Sequence, residues 1–267
     1  MEECTGRVLA AGAQSAVSEY TNVKRNEISR SCALIQWWRA AAFEQLDCAG
    51  KIAVSVVLGH EPEKELQEIS RRSIPYQMFE CNLPDAKRIG SIPGALLWGA
   101  RIFLEVGVNS DSADLFKAIL DAGTCAKIRT GGIIEAVLST KDVAHFLAQC
   151  ARVRLPIKPT AGLHHPVRSR YNLTYKGIPP VATMHAFLNV IFAAAVLCFG
   201  ASEIDACAVL EQIQPQPFSF EADFLIGRDC QLTTAQLTAA RPNFFGGFGS
   251  CSFTEPIEES RALGWII

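Results

Sequence analysis

The sequence predicts an α/β fold, a (β/α)8 TIM-barrel-like closure of parallel strands, on three observations. Three short apolar runs, 101–107, 126–132 and 156–166, carry charged residues and reach glycine near their ends. Helix-like segments at 111–122 and 141–153 separate them, and strands linked through helices pair in parallel. The chain has 267 residues, 49% of them hydrophobic, which suits one barrel domain around one core.

Residues 1–30 are mixed in character and only 7–12 reads as a strand. Ser29 or Ser31 can cap a helix through Gln45 that carries Leu34, Ile35, Trp37, Trp38 and Phe43. Lys51 to Gly59 is a buried strand, 61–72 a charged helix with a solvated face, and 76–82 a further strand that places Glu80 either at a polar centre or at an exposed end. Residues 83–100, which contain Pro84, Gly90, Pro93 and Gly94, form a loop or short helix. After the three central runs the chain becomes irregular from Pro166, as loops that cover sites often are. Thr183 caps an apolar helix over 184–199, placing His185 and Asn189 four apart on one face. A helix at 203–213, a strand at 218–226, a helix at 233–240, a Gly-rich strand and turn at 243–253 and a helix from Thr254 complete seven clear strands, or eight with 7–12. No repeat or linker interrupts a single domain over 1–267.

Along a strand, residues two apart share a face. Ile102, Leu104 and Val106 oppose Phe103 and Glu105; Ala126 and Ile128 oppose Lys127 and Arg129; Ile157 and Ala161 oppose Lys158 and Thr160. A charged inner face is costly unless it is a site, and barrels place sites at the carboxyl ends of their strands. A lysine on apolar surface beside other cations gives up its proton more readily and can form an imine, so Lys158 is the sharpest catalytic candidate, with charge balance against Glu105 as the alternative. Lys127 is either the neighbouring cation or the imine former itself. Glu105 is a candidate acid or base, and so is one of the adjacent pair His164 and His165. Arg129, followed by Thr130, Gly131 and Gly132, suits a carboxylate or phosphate, or is a strand-ending structural arginine. Thr160, Arg168, His185 and Asn189 complete a substrate-binding set, with Ser250, Cys251 and Ser252 as a phosphate cradle or simply a packed turn.

His164, His165 and His185 are an alternative metal set, although no HxH, HExxH or carboxylate triad accompanies them, so no cofactor is expected. The ten cysteines are scattered, with no CxxC, and read as reduced thiols. Net charge is −2 without a basic block, which argues against nucleic acid or an anionic membrane surface as partner. Residues 1–20 do not read as a signal peptide, and the apolar stretch 190–199 is about half of the ~20 residues a span needs. A cytoplasmic protein with a small-molecule substrate follows, its 184–199 helix serving either as core or as an oligomer contact. No GxGxxG or GxxxxGK[ST] string points to a nucleotide.

The blocks KIRTGG (127–132), KPTAGLHHP (158–166) and GSCSFTEP (249–256) resemble those of a bacterial protein family to which no activity is attached. The resemblance therefore implies none. A lysine on a barrel strand is similar to the lysine-dependent barrel enzymes at the level of fold only. The expected function is an enzyme for a small anionic metabolite, with lyase (class I aldolase-like) or isomerase chemistry. The alternatives are a metal-dependent hydrolase or lyase and a non-catalytic binding barrel.

Overall fold

The computed structural model describes residues 32–36, 40, 53–82, 89, 99–107, 113–131, 137–173, 180–250 and 254–266. The chain divides into two compact units: 1–106 with 118–125 and 252–254, and 107–117 with 126–251 and 255–267.

The first unit contains β1 (Cys32–Gln36), β2 (Ala53–Val57), α1 (Pro62–Ile69), β3 (Tyr76–Asn82) and β4 (Arg101–Glu105). The four strands pair in parallel and in chain order, with a register shift between Val54 and Ser55. Val54, Val56, Phe79, Ile102, Phe103 and Leu104 are buried. Consecutive buried residues on one strand mean that both faces are covered, the usual condition of parallel sheets. β1 lies where a helix was expected over 29–45. Leu34 and Ile35 satisfy either period, and pairing with β2 decides for the strand. The first-strand expectation at 7–12 lies outside the described residues.

The division falls within α2 (Ala113–Asp121) and at the start of β5 (Cys125–Arg129). The second unit continues with α3 (Thr140–Val153), β6 (Ile157–Thr160), β7 (Ser169–Asn172), β8 (Val181–Met184), α4 (Phe187–Cys198) and α5 (Glu203–Glu211). Then come β9 (Ser219–Phe220), β10 (Phe224–Gly227), β11 (Cys230–Thr233), α6 (Thr234–Asn243) and α7 (Glu255–Ala262). β5 pairs with β6 in parallel. Capping boxes start α3 (Ser139 with Asp142), α5 (Ser202 with Asp205) and α6 (Thr233 with Gln236).

The closed barrel is not formed. Only six described strands are parallel, and none of them pairs β6 back to β1. Beyond β6 the chain turns to antiparallel pieces: β7 with β8, and β9–β10–β11. The single strand expected over 218–226 is two strands of a meander, whose two-residue turn Arg228–Asp229 places Arg228 at φ 52°. Strands joined by hairpins add antiparallel edges and cannot supply the remaining βα units of a barrel. The Gly-rich stretch from Phe245 does lie parallel to β6, bridging Ile157 to Phe245. Gly246 N–H donates to the Ile157 carbonyl and Gly249 N–H to that of Pro159.

α4 is the core of the second unit. Val190, Phe192, Ala193 and Ala194 have no exposed surface, so the apolar helix is spent on packing within the chain. It starts at Phe187 rather than 184 and has no side-chain cap. The Phe187 and Leu188 N–H groups donate instead to the carbonyls of His165 and Pro166. Among the described residues no helix is long and apolar enough to cross a membrane.

Gly227 is where α4 meets the meander. A Cβ there would stand 2.7 Å from Phe192 Cδ1 and 3.1 Å from Phe218 Cδ1, with Phe192 Cε1 closer still. Replacing Gly227 with alanine should destabilise the protein by about 1–3 kcal/mol through overpacking. The urea unfolding midpoint should fall accordingly, whereas Q231A on the exposed side of β11 should leave it unchanged.

Candidate functional site

Buried charge marks both units. In the first, Glu80 is 2% exposed and accepts a hydrogen bond from Ser55 Oγ at 2.8 Å, and Glu65 accepts from Gly59 N–H at 2.5 Å. Glu105 ends β4 half-buried, in register with Asn82 of β3. In the second unit, Lys127 and Lys158 are each 6% exposed. Their Cα atoms are direct partners in the β5–β6 ladder, and two positions further Arg129 faces Thr160. Neither lysine lacks an interaction partner. Sequence alternation predicted one covered face, but β6 is buried at all four positions. Arg129 is exposed at the end of β5. The Thr160 hydroxyl is committed to the Ile128 carbonyl at 3.3 Å.

The carboxyl ends of β5 and β6 are held by Thr130. Its hydroxyl donates to the Ala161 carbonyl at 2.8 Å, and its N–H to that of Thr160 at 2.8 Å. Ala161 and Gly162 both lie in the left-handed region, at φ 67° and 79°. A Cβ on Gly131 would press on the Ala161 carbonyl oxygen at 3.2 Å, tighter than an ordinary contact, so glycine suits this approach.

The turn presents both histidines. His164 Nδ1 lies 2.8 Å from Ser250 Oγ, and His165 Nδ1 lies 2.7 Å from Glu259 Oε1 on α7. The His165 ring stacks on Tyr171 with centroids 3.4 Å apart and meets His164 edge-on at 6.2 Å. Tyr171 donates its hydroxyl to the Val167 carbonyl; burial, and then the Glu259 carboxylate, push its pKa up to about 12. Neither Glu259 nor Tyr171 was singled out from the sequence, because nothing local connects them to a histidine in another segment. Cys251 and Ser252 of the predicted cradle lie outside the described residues.

His185 and Asn189 do not share a helical face, since His185 precedes α4. Asn189 is fully buried: its Oδ1 accepts from Arg168 N–H at 2.9 Å, and its Nδ2 donates to the carbonyls of Val209 and Gln212 at 2.9 and 2.8 Å. These contacts tie the segment entering β7 and the end of α5 to α4. His185, 3% exposed, donates from Nε2 to the Leu138 carbonyl at 2.8 Å, since a carbonyl only accepts. Its Nδ1 and the buried Arg168 Nε have no hydrogen-bond partner among the described residues. Burial holds the His185 pKa below its usual value, against the opposing Leu138 hydrogen bond and with a contribution from Arg168.

The three histidines thus face three different partners. Among the described residues there is no group of three or more side chains able to hold a metal ion. The alternative metal set has no donor cluster there. Cys125 and Cys150 are buried and reduced, and burial pushes the Cys125 thiol up to about 11 and that of Cys150 well above its usual range. Neither is suited to nucleophilic work.

Two outcomes follow from these contacts. N189A should lower stability by roughly 3 kcal/mol, because three backbone groups lose a buried partner at about 1–3 kcal/mol each with partial relaxation; urea unfolding measures it. The His185 pKa is depressed in the folded state, so the unfolded chain binds the proton first. Its contribution is intact above pH ~6.5 and declines as pH falls from there towards the folded-state pKa. The urea midpoint should therefore drop on acidification from pH 7.5 to 5.5, and drop less in H185Q. The chain matches no protein-family model, no curated protein and no solved structure.

Proposed function

We propose that the chain is an enzyme acting on a small anionic metabolite, carboxylated or phosphorylated, with lyase- or isomerase-like chemistry at a buried lysine. The observation that carries this reading is the pairing of Lys127 with Lys158: two cationic side chains, each 6% exposed, at one register position of adjacent parallel strands. Cations are seldom buried, and two held side by side at one position, each with an interaction partner, resemble the charged interior of a site more than ordinary packing. Their strands end where sites in parallel α/β sheets collect, outside the carboxyl ends. Thr130, Gly131, Ala161, Gly162, His164 and Ser250 stand at those ends, and the exposed Arg129 adds a guanidinium fork for a carboxylate or phosphate.

In this reading one lysine attacks the carbonyl of a 2-oxo acid. The adduct loses water to an imine, while the second lysine holds the substrate's anionic group. His164 is the nearest histidine in sequence to β6 and serves as the proton-transfer group. A binding protein without turnover would use the same cations, and it differs in forming no covalent intermediate.

The test is reductive trapping. Incubation with 2-oxo acids and borohydride should attach the reduced substrate to the peptide containing Lys158 or Lys127, read by mass spectrometry. K158M or K127M, whichever removes the attacking group, should reduce trapping to background; the other should weaken substrate binding. No lysine adduct with any oxo acid, together with saturable anion binding, would leave only the binding protein.

A further inference from the structure

Two segments distant in sequence converge on one hydrogen bond at the carboxyl end of β6. His164 arrives through the left-handed pair Ala161–Gly162, whose carbonyl at Ala161 is held by Thr130 Oγ1 at 2.8 Å. Ser250 arrives from the other side. It follows Gly249, whose N–H donates to the Pro159 carbonyl at 3.0 Å and whose missing side chain leaves room for Thr160: a Cβ there would lie 3.0 Å from Thr160 Cγ2. Neither residue is placed by a helix or by a free loop, and their side chains meet at 2.8 Å, Nδ1 to Oγ. Both are half-buried and so reachable from solvent.

A histidine nitrogen within hydrogen-bond reach of a serine hydroxyl is the minimal arrangement that turns a weak nucleophile into a competent one. A left-handed alanine beside it is the kind of backbone strain that persists where surrounding structure over-determines it, and such strain collects at functional sites. His165 adds a second feature. Its ring is fixed by Glu259 at 2.7 Å and by Tyr171 in stacking, and it stands edge-on to His164, which limits how the His164 ring can turn.

We propose that Ser250 and His164 form a nucleophilic dyad that accepts an activated acyl group, from an ester or thioester, and passes it to water. In the first step the Ser250 hydroxyl proton moves to His164 Nδ1 as Oγ bonds to the acyl carbon. The bond from that carbon to the alcohol or thiol breaks, and the leaving group takes the proton back from His164. In the second step water, deprotonated by the same nitrogen, attacks the acyl-serine and releases the acid, restoring the hydroxyl. The neutral ring carries its proton on Nε2 at the start, leaving Nδ1 as acceptor. This goes beyond the lysine reading, for it needs neither Lys127 nor Lys158 to react.

The experiment treats the intact protein with a small alkyl fluorophosphonate, in which Oγ bonds to phosphorus, fluoride leaves and the proton passes to His164. The expected result is one adduct per chain, mapped to the peptide containing Ser250 and missing in S250A. In H164A and H164Q the labelling rate should fall at least roughly a hundredfold. Circular dichroism confirms that the variants fold. No adduct at Ser250 in the folded protein, or labelling of H164Q at the original rate, would overturn the proposal. Borohydride trapping reports on lysine by a different mass tag, so either reading can fail while the other stands.

Discussion

The Ala161 carbonyl accepts a hydrogen bond from the Thr130 hydroxyl, and on that contact rests the geometry of the whole carboxyl end of β6. A left-handed alanine costs of order 1–2 kcal/mol, so the turn is not a resting conformation of an unconstrained chain. It survives because Thr130 holds two successive carbonyls from β5 while Gly131 and Gly162 let the backbones close to within van der Waals contact. His164 and His165 take their directions from this turn. The ring partners Ser250 and Glu259 then select one orientation for each.

Polar residues in the second unit fall into three groups by what their atoms touch. Asn189, Thr130 and Thr160 direct their polar side-chain atoms at backbone groups and hold segments together. Buried, such groups lend rigidity because any loss leaves a desolvated backbone atom behind. His185 and Arg168 differ, since each keeps one buried nitrogen unmatched among the described residues. Lys127 and Lys158 differ again, being charged where neighbouring strand positions are apolar. The polar contacts found for Asn189 and Thr160, both expected at a substrate, go to backbone groups.

The parallel strands were legible because buried strands of this kind are short β-rich apolar runs with glycine at their ends. β3 matches its expected span of 76–82, and α2 and α3 lie within two residues of expectation at either end. Failure set in where tertiary contacts replaced local signals. Glu221, Ala222 and Asp223 join β9 to β10 with no Asn-Gly or Asp-Gly to announce a hairpin, so two strands read as one run. The start of α4 is satisfied by carbonyls twenty-two residues earlier (187 − 165 and 188 − 166), with no cap in the sequence to mark it. Of the candidate site, the lysine pair and the histidines were named from strand alternation and position. Glu259, 94 residues from His165 in sequence, was not, because pairing at that distance leaves no trace in spacing.

One consequence of the Gly-rich segment beside β6 concerns the order of synthesis. β6 leaves the ribosome with one edge bare and with His164 lacking a counterpart. That edge is covered only when residues 245–249 have been made, and Ser250 and Glu259 follow within a few more turns of the elongation cycle. A nascent chain halted before that segment would hold both lysines of the proposed centre and neither Ser250 nor Glu259.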